Sequence, residues 1–157
     1  MRLELSGTQD IDAPAEAVWR SLLDHELIAA AAPGVESAEA IDDTHFRAVA
    51  ALGVGSISLR FSLQVELHDI EPPERLRMSV KGAAPGSAMR AEAGASVVAL
   101  GATTSRLDWT VASDVHGTAA GVGARMLQST ARKMTESFWR NFAERAATAA
   151  REPAPPP

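Results

Sequence analysis

Histidine has the widest chemical reach of any side chain in this sequence, because imidazole moves protons near neutral pH and ligates metals. Four are present: His25, His45, His68 and His116. No two of them lie three or four residues apart, so no metal-ligand spacing is visible. His68 stands beside Asp69 on the polar side of an alternating segment, where simple solvent exposure accounts for it. His116 follows Ser113 and Asp114 closely, yet a nucleophile, base and acid are assembled in space rather than by adjacency. The chain has no cysteine, which excludes disulfides, thiolate catalysis and cysteine-held zinc or iron–sulfur centres. Gly121-Val122-Gly123 opens like a dinucleotide fingerprint, but Met126 occupies the place that needs a third small residue. No phosphate-binding lysine follows a glycine run, and Glu92 and Asp108 fall on polar strand faces. These residues give no positive reason to expect an enzyme.

The elements that would position any site follow from periodicity. Leu3, Leu5, Gly7, Gln9 and Ile11 share one face of a period-two pattern, which predicts an opening strand. Asp12 or Ala13 can cap a helix from about Pro14 to Asp24, with Val18, Leu22 and Trp19 or Leu23 as its apolar stripe. A second short helix is expected over 25–32, stopped by Pro33-Gly34. From Ser56 to His68, apolar and polar residues alternate without exception, the pattern of a long antiparallel strand with one dry face. Further strands are expected near 35–41, 44–52, 75–81, 89–96 and 106–111, about seven in all. After Asp114 the period changes, and a helix is expected over 121–150, on the order of 45 Å long. Its stripe is Met126, Leu127, Thr130, Ala131, Met134, Phe138 and Phe142. Residues 1–150 then form one domain, and 151–157 read as a proline-rich tail.

The 157 residues suit one domain, and 46% hydrophobic with 22% charged residues is an ordinary globular composition. A net charge of −5 argues against a general nucleic-acid binder. Charge is unevenly spread: ten acids face two arginines over residues 1–45, whereas six bases face three acids over 117–152. That basic segment could meet an acidic partner or anionic headgroups. The N-terminus has no apolar block of secretory type, no run approaches a spanning helix, and a cytoplasmic protein is the expectation.

Strands followed by one long helix predict an α+β fold, a curved antiparallel sheet closed by the C-terminal helix. Much of the expected inner face is alanine: Ala48, Ala50, Ala91, Ala93 and Ala95. Such a face cannot close tightly on one helix, and unfilled apolar space is costly unless something occupies it. The larger inward strand residues are Phe61, Leu63, Met78, Met89 and Trp109, and the helix adds Met126, Leu127, Thr130 and Met134. Methionine adapts to irregular apolar shapes. Ala50, Ala91 and these larger residues are therefore the expected lining of an apolar ligand pocket.

Ile11-Asp12-Ala13-Pro14-Ala15-Glu16-Ala17-Val18-Trp19, Leu22-Leu23-Asp24, Ala32-Pro33-Gly34-Val35-Glu36, Gly53-Val54-Gly55 and the segment Gly121 to Leu127 carry a further signal. With this element order, the chain resembles the helix-grip fold of the START and Bet v 1-like (SRPBCC) superfamily, and within it the CoxG family of carbon monoxide dehydrogenase subunits. The resemblance runs from Met1 to about Ala147. It implies a cavity between sheet and long helix, no required cofactor, and a quinone or lipid-like guest. It also implies an accessory role beside a molybdenum hydroxylase of the carbon monoxide dehydrogenase type, with peripheral contact at the inner face of the cell membrane. Members often carry a membrane-reaching extension, whereas this sequence ends at Pro157.

Three functions stand side by side at this stage. The first is non-enzymatic binding of a hydrophobic molecule. The second is a cyclase- or hydratase-like enzyme of the same superfamily, for which Thr130, Ser87, Gln9 and Thr8 are the polar candidates. The third is a docking module that holds a partner through Arg132, Lys133 and Arg140 on the last helix.

Overall fold

The computed structural model describes residues 1–152, the side chain of Val54 excepted. The proline-rich segment expected at the C-terminus falls, from residue 153, outside the described residues. The elements are β1 (Arg2–Ile11), α1 (Ala15–Leu22), α2 (His25–Ala31), β2 (Val35–Ala40), β3 (His45–Val54), β4 (Ile57–Glu71), β5 (Arg75–Ala84), β6 (Ser87–Ala99) and β7 (Ser105–Gly117). A short 3-10 turn (Thr118–Val122) leads into α3 (Ala124–Arg151).

The seven strands form one antiparallel sheet in the order β1-β7-β6-β5-β4-β3-β2. β2 to β7 make a meander of hairpins, and β1 adds to the far side of β7. β1 and β2 therefore lie on opposite edges, and α1 and α2 carry the chain between them. The expected α+β architecture of about seven strands and a long C-terminal helix is the one observed. α3 packs against β1, β3, α1 and α2, and its 28 residues span about 42 Å.

Local chemistry explains where the elements start and stop. Pro14, not Asp12 or Ala13, is the N-cap of α1, and it supplies no side-chain bond. It is extended at φ −60° and ψ 148°, and its carbonyl accepts the first helical bond from Val18 N–H at 3.1 Å. Asp24 caps α2 by accepting from the N–H groups of Glu26 and Leu27, the usual service of an aspartate at that place. Most strands run longer than their alternation suggested. β4 continues past His68 to Glu71, through a bulge that interrupts its pairing with β5 between His68 and Glu71. Asp69 sits there at φ 48°, which aspartate tolerates better than most residues. The bulge breaks the period of two, so Leu67 and Ile70 both join the core although three positions apart.

The last helix also differs at both ends from its expected range. Gly123 at φ 101° separates the 3-10 turn from α3, so the α-helix begins at Ala124 rather than Gly121. It continues to Arg151, one residue into the stretch expected as tail.

The core is divided. The larger cluster gathers Val18, Trp19 and Leu22 of α1, Leu107 and Trp109 of β7, and Trp139, Phe142 and Ala146 of α3, among others. The smaller cluster is Leu3, Phe61, Val115, Ala119 and Leu127. Ala131 touches both. Small inward side chains leave the space between them unfilled.

Candidate functional site

That space is a cavity in two adjoining lobes. The first, about 260 Å³, is bounded by Ala50, Met78, Ala93, Phe138 and Trp139, with Pro33 and Val35 at its margin. The second, about 190 Å³, lies toward the other cluster and is bounded by Leu3, Leu5, Phe61, Leu127 and Thr130. Leu52, Met89, Ala91, Val111, Met134 and Thr135 line both lobes. Together the lobes reach the size of small-molecule sites, roughly 300–1,000 Å³.

The alanines act as the alternation suggested. Ala50, Ala91, Ala93 and Ala95 replace bulk that would otherwise close sheet on helix. Gly82 has the same effect from below. A β-carbon there would lie 2.7 Å from Met89 Cγ and 2.9 Å from a Leu63 methyl, so its absence lets both side chains lie flat.

Most of the expected lining residues meet at the cavity. Ala50, Leu63 and Met78 belong to the first lobe. Phe61, Leu127 and Thr130 belong to the second, and Met89, Ala91 and Met134 to both. Two residues stand elsewhere. Met126 is 46% exposed and lies over Gly55 in the β3–β4 turn. One residue along a helix rotates the side chain by about 100°, so with Leu127 inward Met126 points away. Trp109 is buried but sits behind the lining, in the larger core cluster, with Trp139 stacked on it.

Among the described residues, no Asp, Glu, His, Lys or Arg lines either lobe. Of the four polar candidates only Thr130 lines the cavity. Ser87 is committed elsewhere, its Oγ accepting from Ala119 N–H at 3.0 Å. Thr8 is exposed, and the Gln9 amide donates to Asp10 O. Thr135, Ser113 and Trp139 are polar residues of the lining that periodicity did not pick out. The Thr135 hydroxyl donates to Ala131 O at 2.7 Å. The indole Nε1 of Trp139 is buried and has no hydrogen-bond partner among the described residues. Leaving a buried donor unmade costs about 1–3 kcal/mol.

The basic residues of α3 lie on its solvent side. Arg132 is within 3.9 Å of Glu136, Arg140 donates to Ser137 Oγ, and Lys133 is exposed.

His68 departs from the expectation of simple exposure. Its side chain is 28% exposed and sits in a polar cluster on the outer face of the sheet. Its Nδ1 lies 3.0 Å from Asp69 Oδ2. Its Nε2 lies 2.8 Å from Ser79 Oγ and 3.2 Å from Glu92 Oε2. The Ser79 hydroxyl also donates to Glu92. The order serine, histidine, aspartate is that of a hydrolytic triad, but Ser79 lies in a strand paired on both sides. Backbone amides held in ladders cannot form an oxyanion hole, so the cluster pins three strands together. A second histidine, His45, lies at the β2–β3 turn, its Nδ1 2.8 Å from Asp42 Oδ1. That bond raises the His45 pKa. The Thr44 N–H, then His45, hold the Asp42 carboxyl down at about 2. A wider trough of about 550 Å³ crosses the outer faces of β2 to β5. It is surface relief among outward polar side chains such as Arg47, Gln64 and Lys81.

The sequence model of the CoxG family of carbon monoxide dehydrogenase subunits matches residues 7–147. The chain belongs to the CoxG family. That family supports an accessory role beside carbon monoxide dehydrogenase. No curated protein matches this CoxG-family chain in sequence. Among solved structures, a conserved protein from Geobacillus kaustophilus superposes with a TM-score of 0.86 at 23% identity, over 94% of this chain and 97% of that one. A START superfamily protein from Mycobacterium smegmatis gives 0.72 at 16% identity, over 92% and 97%. The Zhui aromatase/cyclase from a Streptomyces species gives 0.71 at 17% identity, over 96% and 97%. These likenesses place the CoxG-family chain in the START and Bet v 1-like helix-grip fold. Among its described residues, no helix is long and apolar enough to cross a membrane.

Proposed function

We propose that this protein binds a small hydrophobic molecule, a quinone or a lipid-like compound, between its sheet and α3, and does no chemistry on it. The observation that carries the reading is the divided core, whose two clusters leave an apolar cavity with no titratable side chain among the described residues of its lining. Removing apolar surface from water is worth roughly 25 cal/mol per Å², so such a lining supplies affinity without charged contacts. General acid–base catalysis needs a proton-transferring group within reach of the guest, and the two lobes offer only hydroxyls and one indole.

The family membership supports the second half of the reading. The protein serves a molybdenum hydroxylase of the carbon monoxide dehydrogenase type, on the cytoplasmic side and in peripheral contact with the membrane. No cofactor of its own is required. Arg132, Lys133 and Arg140 form the face offered to that partner or to anionic headgroups.

The test is extraction of the purified protein with organic solvent, followed by mass spectrometry and by titration with added quinone. Co-purified quinone or lipid, or saturable uptake of added quinone, is the expected result. Absence of both a co-purified guest and any uptake would overturn the reading. Charge reversal at Arg132, Lys133 and Arg140 is expected to abolish partner binding while uptake persists.

A further inference from the structure

The two lobes of the cavity differ in chemistry. The inward positions of β7 are Leu107, Trp109, Val111, Ser113 and Val115, so a serine interrupts an otherwise apolar face. Ser113 lines the second lobe together with Val111 and Val115, two residues to either side of it. In register it lies opposite Leu3 on β1 and Ala91 on β6, neither of which has a side-chain partner to offer. Across the lobe, Thr130 of α3 lines the same space. Neither hydroxyl has a hydrogen-bond partner among the described residues. Trp139 Nε1 is the only side-chain polar atom among the described residues that is both sealed off and unpartnered. The Ser113 and Thr130 oxygens, unpartnered in half-buried residues, are therefore open. The first lobe has no such groups. Its polar side chains are Thr135, whose proton goes to Ala131 O, and Trp139, whose nitrogen is sealed.

We propose that Ser113 and Thr130 form the polar end of the site. They hold an uncharged oxygen function, a carbonyl or a hydroxyl, in the second lobe, while the apolar body of the guest fills the first. This rests on the cavity reading above and narrows it to a class and an orientation. A guest in the second lobe cuts the two hydroxyls off from water, and a pure hydrocarbon would leave them unmet. A hydroxyl both donates and accepts, so either kind of guest oxygen satisfies it. The head must be neutral, because no Asp, Glu, His, Lys or Arg among the described residues lines either lobe, and an ionised group buried without a partner is strongly disfavoured. Quinones and long-chain alcohols or ketones meet these terms, and ionised fatty acids do not.

Three probes of similar shape test it by calorimetry: 2-methyl-1,4-naphthoquinone, 2-methylnaphthalene and, at neutral pH, ionised 2-naphthoate. The quinone is expected to bind about tenfold more tightly than the hydrocarbon, equivalent to about 1.4 kcal/mol, and the naphthoate more weakly than the quinone by at least as much. Ser113→Ala combined with Thr130→Val preserves shape while removing both hydroxyls. It is expected to bring quinone affinity down to that of the hydrocarbon, which should bind at least as tightly as before. A second readout uses the unaltered protein and a 1,4-naphthoquinone carrying a short alkyl chain. Nuclear Overhauser contacts should join the quinone ring to the Leu127 methyls of the second lobe and the chain to the Met78 methyl of the first. Equal affinity for quinone and hydrocarbon, naphthoate binding as tight as quinone binding, or a ring seated against Met78 overturns the proposal and leaves the cavity reading standing. Failure of every probe to bind overturns both.

Discussion

Trp109 of β7 and Trp139 of α3 lie stacked, with ring centroids 6.2 Å apart and planes inclined by 21°. The pair transmits the position of the sheet to the wall of the cavity. Trp109 rests in turn on Gly7 of β1, where a β-carbon would lie 2.6 Å from its Cζ2. Gly7→Ala is therefore expected to push Trp109 toward Trp139. Overpacking of this kind costs about 1–3 kcal/mol. Denaturant unfolding should report that loss, together with a change in the tryptophan near-ultraviolet circular dichroism.

Ala91 lines both lobes, so Ala91→Leu places new carbon where a guest would extend from one to the other. Filling a cavity commonly stabilises by about 0.5–2 kcal/mol. The expected outcome is a melting temperature unchanged or raised, with uptake of a hydrophobic probe reduced at least tenfold. A variant that melts higher and binds as before would show that the guest lies elsewhere.

The β2–β3 turn has a pH window. His45 has a raised pKa because its ring bonds to Asp42. Its contribution is fully present below about 6.5, the ordinary histidine value, and is lost as pH rises through the higher folded value. Asp42 is lowered to about 2, first by the Thr44 N–H and then by His45. Its contribution is present above its ordinary value near 4 and is lost as pH falls toward about 2. Amide exchange corrected for intrinsic rates should therefore be slowest over residues 42–45 between those limits. It should speed up on the alkaline side, and His45→Ala should remove that alkaline step.

Asn141 of α3 donates its side-chain N–H to Ala31 O at the end of α2, at 3.1 Å. Asn141→Leu removes that bond and leaves the carbonyl unmet. A loss of about 1–3 kcal/mol is expected by thermal or chemical unfolding, with α2 amides exchanging faster.

The alternation of β4 and the change of period after Asp114 made the sheet and long helix readable, because both rest on residues facing one core. The inward alanines made the cavity readable for the same reason. The place of Trp139 in its wall was not. The stripe drawn through Leu127, Ala131, Met134, Phe138 and Phe142 passes beside Trp139, and an α3 embraced by a curved sheet buries a wider arc than one stripe. Met126 was misplaced by the opposite error, since a single step of helical rotation separates it from Leu127. The bulge at Asp69 and the partnership of His68 with Ser79 and Glu92 depend on register between strands, which periodicity within one strand does not encode.

The two core clusters differ greatly in size, and this gives α3 an asymmetric grip. Local opening follows the weakest packing. The helix start, flanked by Gly123 and packed on the smaller cluster around Phe61 and Leu127, is expected to open before the Trp139 to Ala146 end in the larger one. If a guest occupies the cavity, lifting one end of a rod whose other end stays seated would admit it without the domain coming apart.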